Sequence, residues 1–192
     1  VLLFGLSPFL IIATDSVLLI VLNTVLQRYG GPGFGDTLVT CATIVQSYLL
    51  LITMPMGGMT LGTQPVVSFN YGAGQPERIK TALKSIVGLC LVFSTGMMVV
   101  TYTLSPLFVR LFTSDGEIMA RSVRYIKMFT CMILPLAIQY PLVDETTALG
   151  RVRQALFCSL FRKGVFLAGL LLLPFYFGAE ATFFSEPVAD AA

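Results

Sequence analysis

The sequence contains no histidine and few charged residues, and both absences limit what the protein can do. Only 11% of its 192 residues are charged, against roughly 25% in an ordinary soluble domain. Without histidine, Ser–His catalysis and imidazole-based metal sites are excluded. The sequence also specifies no other catalytic centre, so we predict a protein that is not an enzyme and uses no cofactor.

Cysteine is sparse and never paired along the chain. The four cysteines fall singly within or beside apolar segments, without a Cys-x-x-Cys pair. Isolated cysteines of this kind are more often small buried hydrophobic residues than metal ligands or disulfide partners. The net charge of +2 is small and the basic residues lie in short connections, which gives no support for nucleic-acid binding.

Long apolar runs dominate the composition. Hydrophobic residues make up 56% of the chain, and each run of about 20 residues can cross ~30 Å of hydrocarbon as a helix. We predict an all-α, polytopic transmembrane bundle of about six helices, in a bacterial cell membrane. The predicted spans are residues 2–26, 38–69, 80–105, 117–143 and 152–177, with a truncated span at 179–192. The missing initial methionine and this truncation lead us to expect a fragment of a longer protein.

Asp15 lies in the middle of the first predicted span. An ionised carboxylate at that depth costs roughly 2.5–3.5 kcal/mol, so the side chain should face protein or water rather than lipid. Along a helix, Ser16, Asn23 and Gln27 fall within about 120° on one side of Asp15. We interpret this face as a cavity wall where Asp15 binds a proton or a cation. The alternative is a protonated or hydrogen-bonded Asp15 that holds two helices together.

The second and fourth predicted spans contain prolines and glycines next to polar or flexible side chains. Breaks in a membrane helix are tolerated where the freed carbonyl groups face protein or a wet cavity. We therefore predict two sets of functional residues. The helix breaks or hinges are Pro55, Gly57, Gly58 and Pro135, and the lining of a substrate cavity includes Asn23, Gln46, Met54 and Gln139.

The connection after the first span contains Gly33-Phe34-Gly35-Asp36. This matches the Gly-x-Gly-Asp pattern of intramembrane aspartyl proteases, but those enzymes need the motif inside a span and a Tyr-Asp on another span, which is absent here. A turn with Asp36 as the N-cap of the second helix is the favoured interpretation. Ser114 or Asp115 is the predicted N-cap of the fourth helix.

The remaining charges are expected near the ends of the spans. We expect Asp144 and Glu145 at the membrane interface, and Arg162 and Lys163 at the level of the lipid headgroups. Basic residues are slightly more numerous on the side of the connection around residues 70–80, which favours a cytoplasmic location for that connection.

Several short stretches resemble multidrug and toxic compound extrusion (MATE) transporters. They include Leu6-Ser7-Pro8-Phe9, Gly62-Thr63-Gln64-Pro65, Asn70-Tyr71-Gly72-Ala73-Gly74, Arg78-Ile79-Lys80, Ala148-Leu149-Gly150, Gln154-Ala155-Leu156-Phe157 and Pro187-Val188-Ala189-Asp190. The resemblance implies a twelve-helix transporter of two lobes, of which this chain is the C-terminal lobe and the N-terminal lobe its partner. It departs from the family at Val143-Asp144-Glu145, where polar or aromatic residues are expected.

The resemblance also implies a function. Family members export small cationic or amphipathic compounds in exchange for protons or sodium, by rocking one lobe against the other. Asp15 falls near the level where some members carry a cation-linked acid. A lipid-linked saccharide flippase of the same broader fold is an alternative that predicts several cationic residues inside the cavity. A membrane scaffold that transports nothing predicts no titratable group at mid-depth.

Overall fold

The computed structural model describes the backbone of residues 2–191 and the side chains from Phe9 onward. Val1, Ala192 and the side chains of Leu6-Ser7-Pro8 therefore lie outside the described residues. Residues 2–191 form seven α-helices and one 3-10 helix without any strand, which confirms the all-α class. The elements are α1 (Leu2–Gly30), α2 (Phe34–Gly72), α3 (Pro76–Val109), α4 (Gly116–Phe129), α5 (Ile133–Ala148), α6 (Val152–Phe177), the 3-10 helix (Ala179–Phe184) and α7 (Ser185–Ala191).

Within the described residues, four helices are long and apolar enough to cross a membrane. These are α1 from Phe9 onward, α2, α3 and α6. The pair α4–α5 forms a fifth candidate span, which is bent by 56° at a short break. Each of the first five predicted spans falls inside one of these helices or inside the bent pair.

The bend between α4 and α5 has a local cause. Helix α4 ends at Phe129, the N–H of the following Thr130 bonds the carbonyl of Ile126 at 3.0 Å, and the chain becomes helical again at Ile133, where α5 begins. The ring of Pro135 has no N–H and crowds the carbonyl of Cys131, which favours a break or kink at this point. Pro135, one of the residues that we predict as hinges, therefore lies directly after the bend.

Helix α2, by contrast, is continuous. It passes Pro55, Gly57 and Gly58 without interruption and extends over 39 residues. At 1.5 Å per residue it is about 58 Å long, well beyond the hydrocarbon thickness. These residues do not end a helix here, and their role as hinges in another state stays a prediction.

The two predicted N-caps have different outcomes. Asp115 caps α4, since its carboxylate accepts hydrogen bonds from two backbone N–H groups of the first turn at 2.8 and 3.2 Å. The prediction for Asp36 was wrong. Gly33, with φ at 80°, precedes the helix and lets α2 begin at Phe34, so Asp36 lies inside the first turn and accepts a hydrogen bond from Gln27 at 3.3 Å.

Aromatic packing fixes α2 and α4 to their neighbours. Tyr125 of α4 stacks on Phe183 of the 3-10 helix with 4.0 Å between ring centroids. Tyr48 of α2 packs edge-on against Phe108 of α3 at 5.0 Å, and its hydroxyl shares a 2.9 Å hydrogen bond with Thr101. The buried hydroxyl of Tyr48 thus has a hydrogen-bond partner, while its ring packs in the core.

The outer faces of several helices carry large apolar side chains. Ile12 and Ile20 on α1, Val92 on α3 and Phe175 on α6 are all exposed. Soluble monomeric proteins rarely expose extended apolar surface of this kind, whereas bilayer hydrocarbon would cover it without cost. The fold is therefore that of a multi-pass membrane bundle.

Candidate functional site

A cavity of about 460 Å³ is lined by residues of α1, α2, α5, α6 and α7. Six leucines and Phe166 form the apolar part of its wall. The polar part of the lining consists of Asp15, Ser16, Gln46, Thr53, Tyr140, Arg162, Lys163 and Glu186. Charged groups of both signs therefore meet in a cavity that also has apolar and uncharged polar walls.

Asp15 and Lys163 form an ion pair between α1 and α6. The Asp15 carboxylate lies 2.7 Å from the Lys163 ammonium, which also donates a 2.5 Å hydrogen bond to the carbonyl of Ile11. The Lys163 side chain is 5% exposed and the Asp15 side chain 58%. The ammonium is thus enclosed and held by two oxygens, while the carboxylate can be reached from the cavity.

Arg162 forms a second ionic contact, between α6 and α7. Its guanidinium lies 3.0 Å from Glu186 and 2.8 Å from Asp190. The two acids are four residues apart and therefore share one face of α7, so a single guanidinium nitrogen can contact both. The Asp190 side chain is only 2% exposed, so this contact keeps a buried carboxylate from being left without a partner.

These contacts define the charged cluster, made up of Asp15, Arg162, Lys163, Glu186 and Asp190. Three acids face two bases, so the cluster has one net negative charge when all five groups are ionised. An environment of this sign favours the uptake of one further cation over an anion.

The expected location of Arg162 and Lys163 at the lipid headgroups stays a prediction, but neither residue lies at an end of its helix. Both residues lie in the middle of α6, which begins at Val152 and ends at Phe177. Their acidic partners on α1 and α7 neutralise them inside the bundle. The pairing joins residues far apart in the sequence, so the distribution of charge along α6 alone could not reveal it.

The predicted cavity residues are only partly brought together. Asp15 and Gln46 line the same cavity, whereas Gln139 lines a second cavity of about 640 Å³ between α5 and α6. Asn23 is half-buried and Met54 is 70% exposed, and neither lines either of these two cavities.

Among the predicted hinges, Gly57 has the tightest surroundings. A Cβ at this position would lie 3.1 Å from the Tyr140 hydroxyl, so glycine allows α2 to approach α5 beside the cavity. Gly58 has open space around it, Pro55 is exposed, and Pro135 is half-buried in the first turn of α5.

Asp144 and Glu145, which we expect at the membrane interface, lie in the last turns of α5 and face protein; their depth in the membrane stays a prediction. The Thr60 hydroxyl of α2 donates a 2.6 Å hydrogen bond to the Asp144 carboxylate. Glu145 is completely buried. The predicted span ends at residue 143, before these acids, whereas α5 continues to Ala148 and turns them towards its neighbours.

The residues that the sequence interpretation missed are Arg162, Lys163, Glu186, Asp190 and Tyr140. One signal for the first two was present, since a basic pair in the centre of an apolar run requires acidic partners at the same depth. Among the residues that the structure describes, no group of three or more His, Cys, Asp or Glu side chains could hold a metal ion.

Comparison with known proteins agrees with this architecture. The MatE family model matches residues 10–172. A curated FAD transporter of Shewanella oneidensis is 26% identical over 149 residues, which is 77% of this chain and 32% of that protein. The multidrug export protein MepA of Staphylococcus aureus is 21% identical over 172 residues, 90% of this chain and 37% of that protein. The chain thus spans about a third of the length of these curated relatives.

Two solved structures of MATE family multidrug resistance transporters have the same fold. One is in an outward-facing conformation and matches with a TM-score of 0.88 at 17% identity, over 97% of this chain and 42% of that one. The other is in an inward-facing conformation and matches with a TM-score of 0.84 at 17% identity, over 97% and 43%.

Proposed function

The chain belongs to the MatE family, whose members are membrane transporters rather than enzymes, and from this we propose that it forms one lobe of an antiporter that exports small cationic or amphipathic compounds. The energy comes from protons or sodium ions moving in the opposite direction. The other lobe lies in the part of the protein that corresponds to the unmatched length of the relatives.

The Asp15–Lys163 ion pair carries this proposal. The carboxylate lies in a cavity at mid-helix and is more than half exposed, while its partner ammonium is enclosed. A proton or cation that arrives from the cavity competes with Lys163 for the same carboxylate. When Asp15 is neutralised, α1 and α6 lose their ionic contact. A cation therefore favours one arrangement of the lobe, and an exported cation that takes its place favours the reverse change.

Similarity to two solved conformations supports movement of the lobe as a unit. The chain matches the outward-facing and inward-facing structures over the same share of its length with similar TM-scores. We propose that the lobe rocks against its partner without large internal rearrangement, and that the bend near Pro135 and the glycines of α2 absorb the remaining change.

An anionic substrate is the second candidate. Arg162 and Lys163 lie in the cavity, as the flippase alternative requires, and one relative is named an FAD transporter. The charged cluster argues against this candidate, because each base is already paired with at least one acid and the acids are in excess. An anion would have to displace a carboxylate from Lys163 or Arg162.

The test is efflux of a fluorescent cationic dye by the complete protein, in cells that lack their own dye exporters. We expect Asp15→Asn to abolish ion-driven efflux. The asparagine amide is neutral at all times, so binding and release of a cation can no longer change the charge at this position. A proton uncoupler and removal of sodium, applied separately to the unmodified protein, identify the coupling ion.

The matched control is Asp36→Asn, which removes an exposed carboxylate at the start of α2, outside the cavity. This variant should transport like the unmodified protein. Unchanged efflux and ion dependence in Asp15→Asn would refute the role of Asp15. Transport of an organic anion, with no transport of the cationic dye, would favour the second candidate.

A further inference from the structure

Glu145 is a buried acid that the proposed antiport does not use. Its side chain has 0% exposure, and neither carboxyl oxygen has a hydrogen-bond partner among the described residues. Asp144 next to it is held by the Thr60 hydroxyl at 2.6 Å, across the contact between α2 and α5. The Thr60 hydroxyl also approaches the Gly57 carbonyl at 3.0 Å.

This environment is unfavourable for an ionised carboxylate. Removing a carboxylate from water is compensated only by donors or by a positive charge, and Glu145 has neither in the described part of the chain. The Asp144 side chain on the same helix adds a second acidic group nearby, and two carboxylates at one site resist ionising together. Glu145 is stable here only as the neutral acid.

The helices that pack against α5 do not supply a counter-charge. Helix α2 contains no charged residue after Asp36. On α3, Arg78, Lys80 and Lys84 are exposed, and Cys90 is buried and uncharged. On α6 and α7, Arg153 is exposed, while Arg162, Lys163, Glu186 and Asp190 belong to the charged cluster. Tyr140 is the remaining titratable residue of α5 besides the two acids.

We propose that Glu145 is a proton-binding site of this lobe, occupied at neutral pH and located beside the Thr60–Asp144 hydrogen bond that joins α2 to α5. Release of the proton turns the carboxylic acid into a carboxylate and passes H⁺ to water. The resulting charge needs a donor that the closed packing does not offer, so water must enter or α5 must separate from the helices that pack against it. Proton loss at Glu145 is thereby linked to the packing of α5.

Infrared difference spectroscopy of the complete protein in lipid vesicles tests this site. The carbonyl stretch of a protonated carboxylic acid should disappear between neutral and strongly alkaline pH, with release of about one proton at this site. Glu145→Gln should remove that band. The matched control Glu77→Gln, which alters an exposed glutamate at the start of α3, should keep it, and so should Asp15→Asn.

A second measurement does not depend on the folding of a variant. In the unmodified protein prepared with isotope-labelled glutamate, the band should shift, whereas labelled aspartate should leave it in place. Persistence of the whole band in a folded Glu145→Gln protein, or a band that responds only to labelled aspartate, would overturn the proposal. Neither measurement involves transport, so failure of the proton site and failure of the proposed antiport are distinguishable.

Discussion

Two parts of the molecule hold acidic residues inside the bundle in opposite ways. In the charged cluster of α1, α6 and α7, every acid contacts a base at 3.0 Å or less. At the contact between α2 and α5, Asp144 has only a hydroxyl partner and Glu145 has none among the described residues. Pairing keeps a group ionised at depth, whereas isolation favours the protonated form. The packing around the charged cluster therefore requires ionised side chains, whereas the packing around Asp144 and Glu145 favours neutral ones.

The strongest way to break the charged cluster is to remove its guanidinium. Arg162→Met leaves Glu186 and Asp190 buried without a cation, which should destabilise the protein by about 3–5 kcal/mol. Thermal unfolding of the complete protein in detergent measures this loss. Arg153→Met, which changes an exposed arginine of the same helix, serves as the control and should have little effect. Equal unfolding temperatures for the two variants would contradict the pairing.

A glycine in α6 tests whether the same cluster needs close helix packing. A Cβ at Gly169 would lie 3.1 Å from the side chain of Ser185 and 3.2 Å from its backbone, so Gly169→Ala should push α7 away from α6. The expected cost is about 1–3 kcal/mol. Gly164→Ala in the same helix meets nothing within 4 Å and should be tolerated. If the two alanines behaved alike in thermal unfolding, the close approach of α7 would be in doubt.

The ion pair between α1 and α6 should contribute less, because Asp15 is partly exposed to the cavity. A double-mutant cycle with Asp15→Asn and Lys163→Met should give a coupling free energy of about 1 kcal/mol. Asp15→Asn alone should cost more than Lys163→Met alone. The reason is that Asp15→Asn leaves an enclosed ammonium without its carboxylate, whereas Lys163→Met leaves a carboxylate that water can reach. A coupling energy of zero would mean that the pair does not hold the helices together.

The smallest effect is expected where no charge is lost. If Glu145 is already neutral, Glu145→Gln should change stability at neutral pH by about 1 kcal/mol or less. Asp190→Asn removes a charge that Arg162 holds and should cost clearly more. Chemical or thermal unfolding of both variants under the same conditions measures the difference. A larger loss for Glu145→Gln than for Asp190→Asn would reverse the contrast between the two regions.

The fold class could be predicted from the sequence because bilayer thickness sets the length of an apolar helix. Runs of about 20 apolar residues fall inside α1, α2, α3, α6 and the bent pair α4–α5. The N-cap at Asp115 could also be predicted, since capping depends on residues that are neighbours in the sequence. The same local reasoning gave the wrong N-cap at Asp36, because Gly33 takes a left-handed conformation and α2 therefore begins earlier, at Phe34.

Only part of the candidate functional site could be predicted from the sequence. The position of Asp15 near the centre of an apolar run identified it as a group that must avoid lipid. Its partner Lys163 comes from α6, and no periodicity within α1 indicates which helix packs there. The burial of Glu145 likewise depends on how α5 is turned against its neighbours, which its basic flanks in the sequence obscured. Pairings across helices therefore needed the tertiary structure.

The most direct test of the account is whether the Asp15 cavity holds water in the membrane-embedded protein. Ser16→Cys and Val92→Cys, each in the complete protein without other cysteines, would be treated with a charged, membrane-impermeant thiol reagent. Ser16 lines the cavity beside Asp15, and Val92 is on the exposed apolar face of α3. The account predicts labelling of Ser16→Cys, protection of that cysteine by a transported cationic dye, and no labelling of Val92→Cys. An unreactive Ser16→Cys together with a reactive Val92→Cys would contradict it.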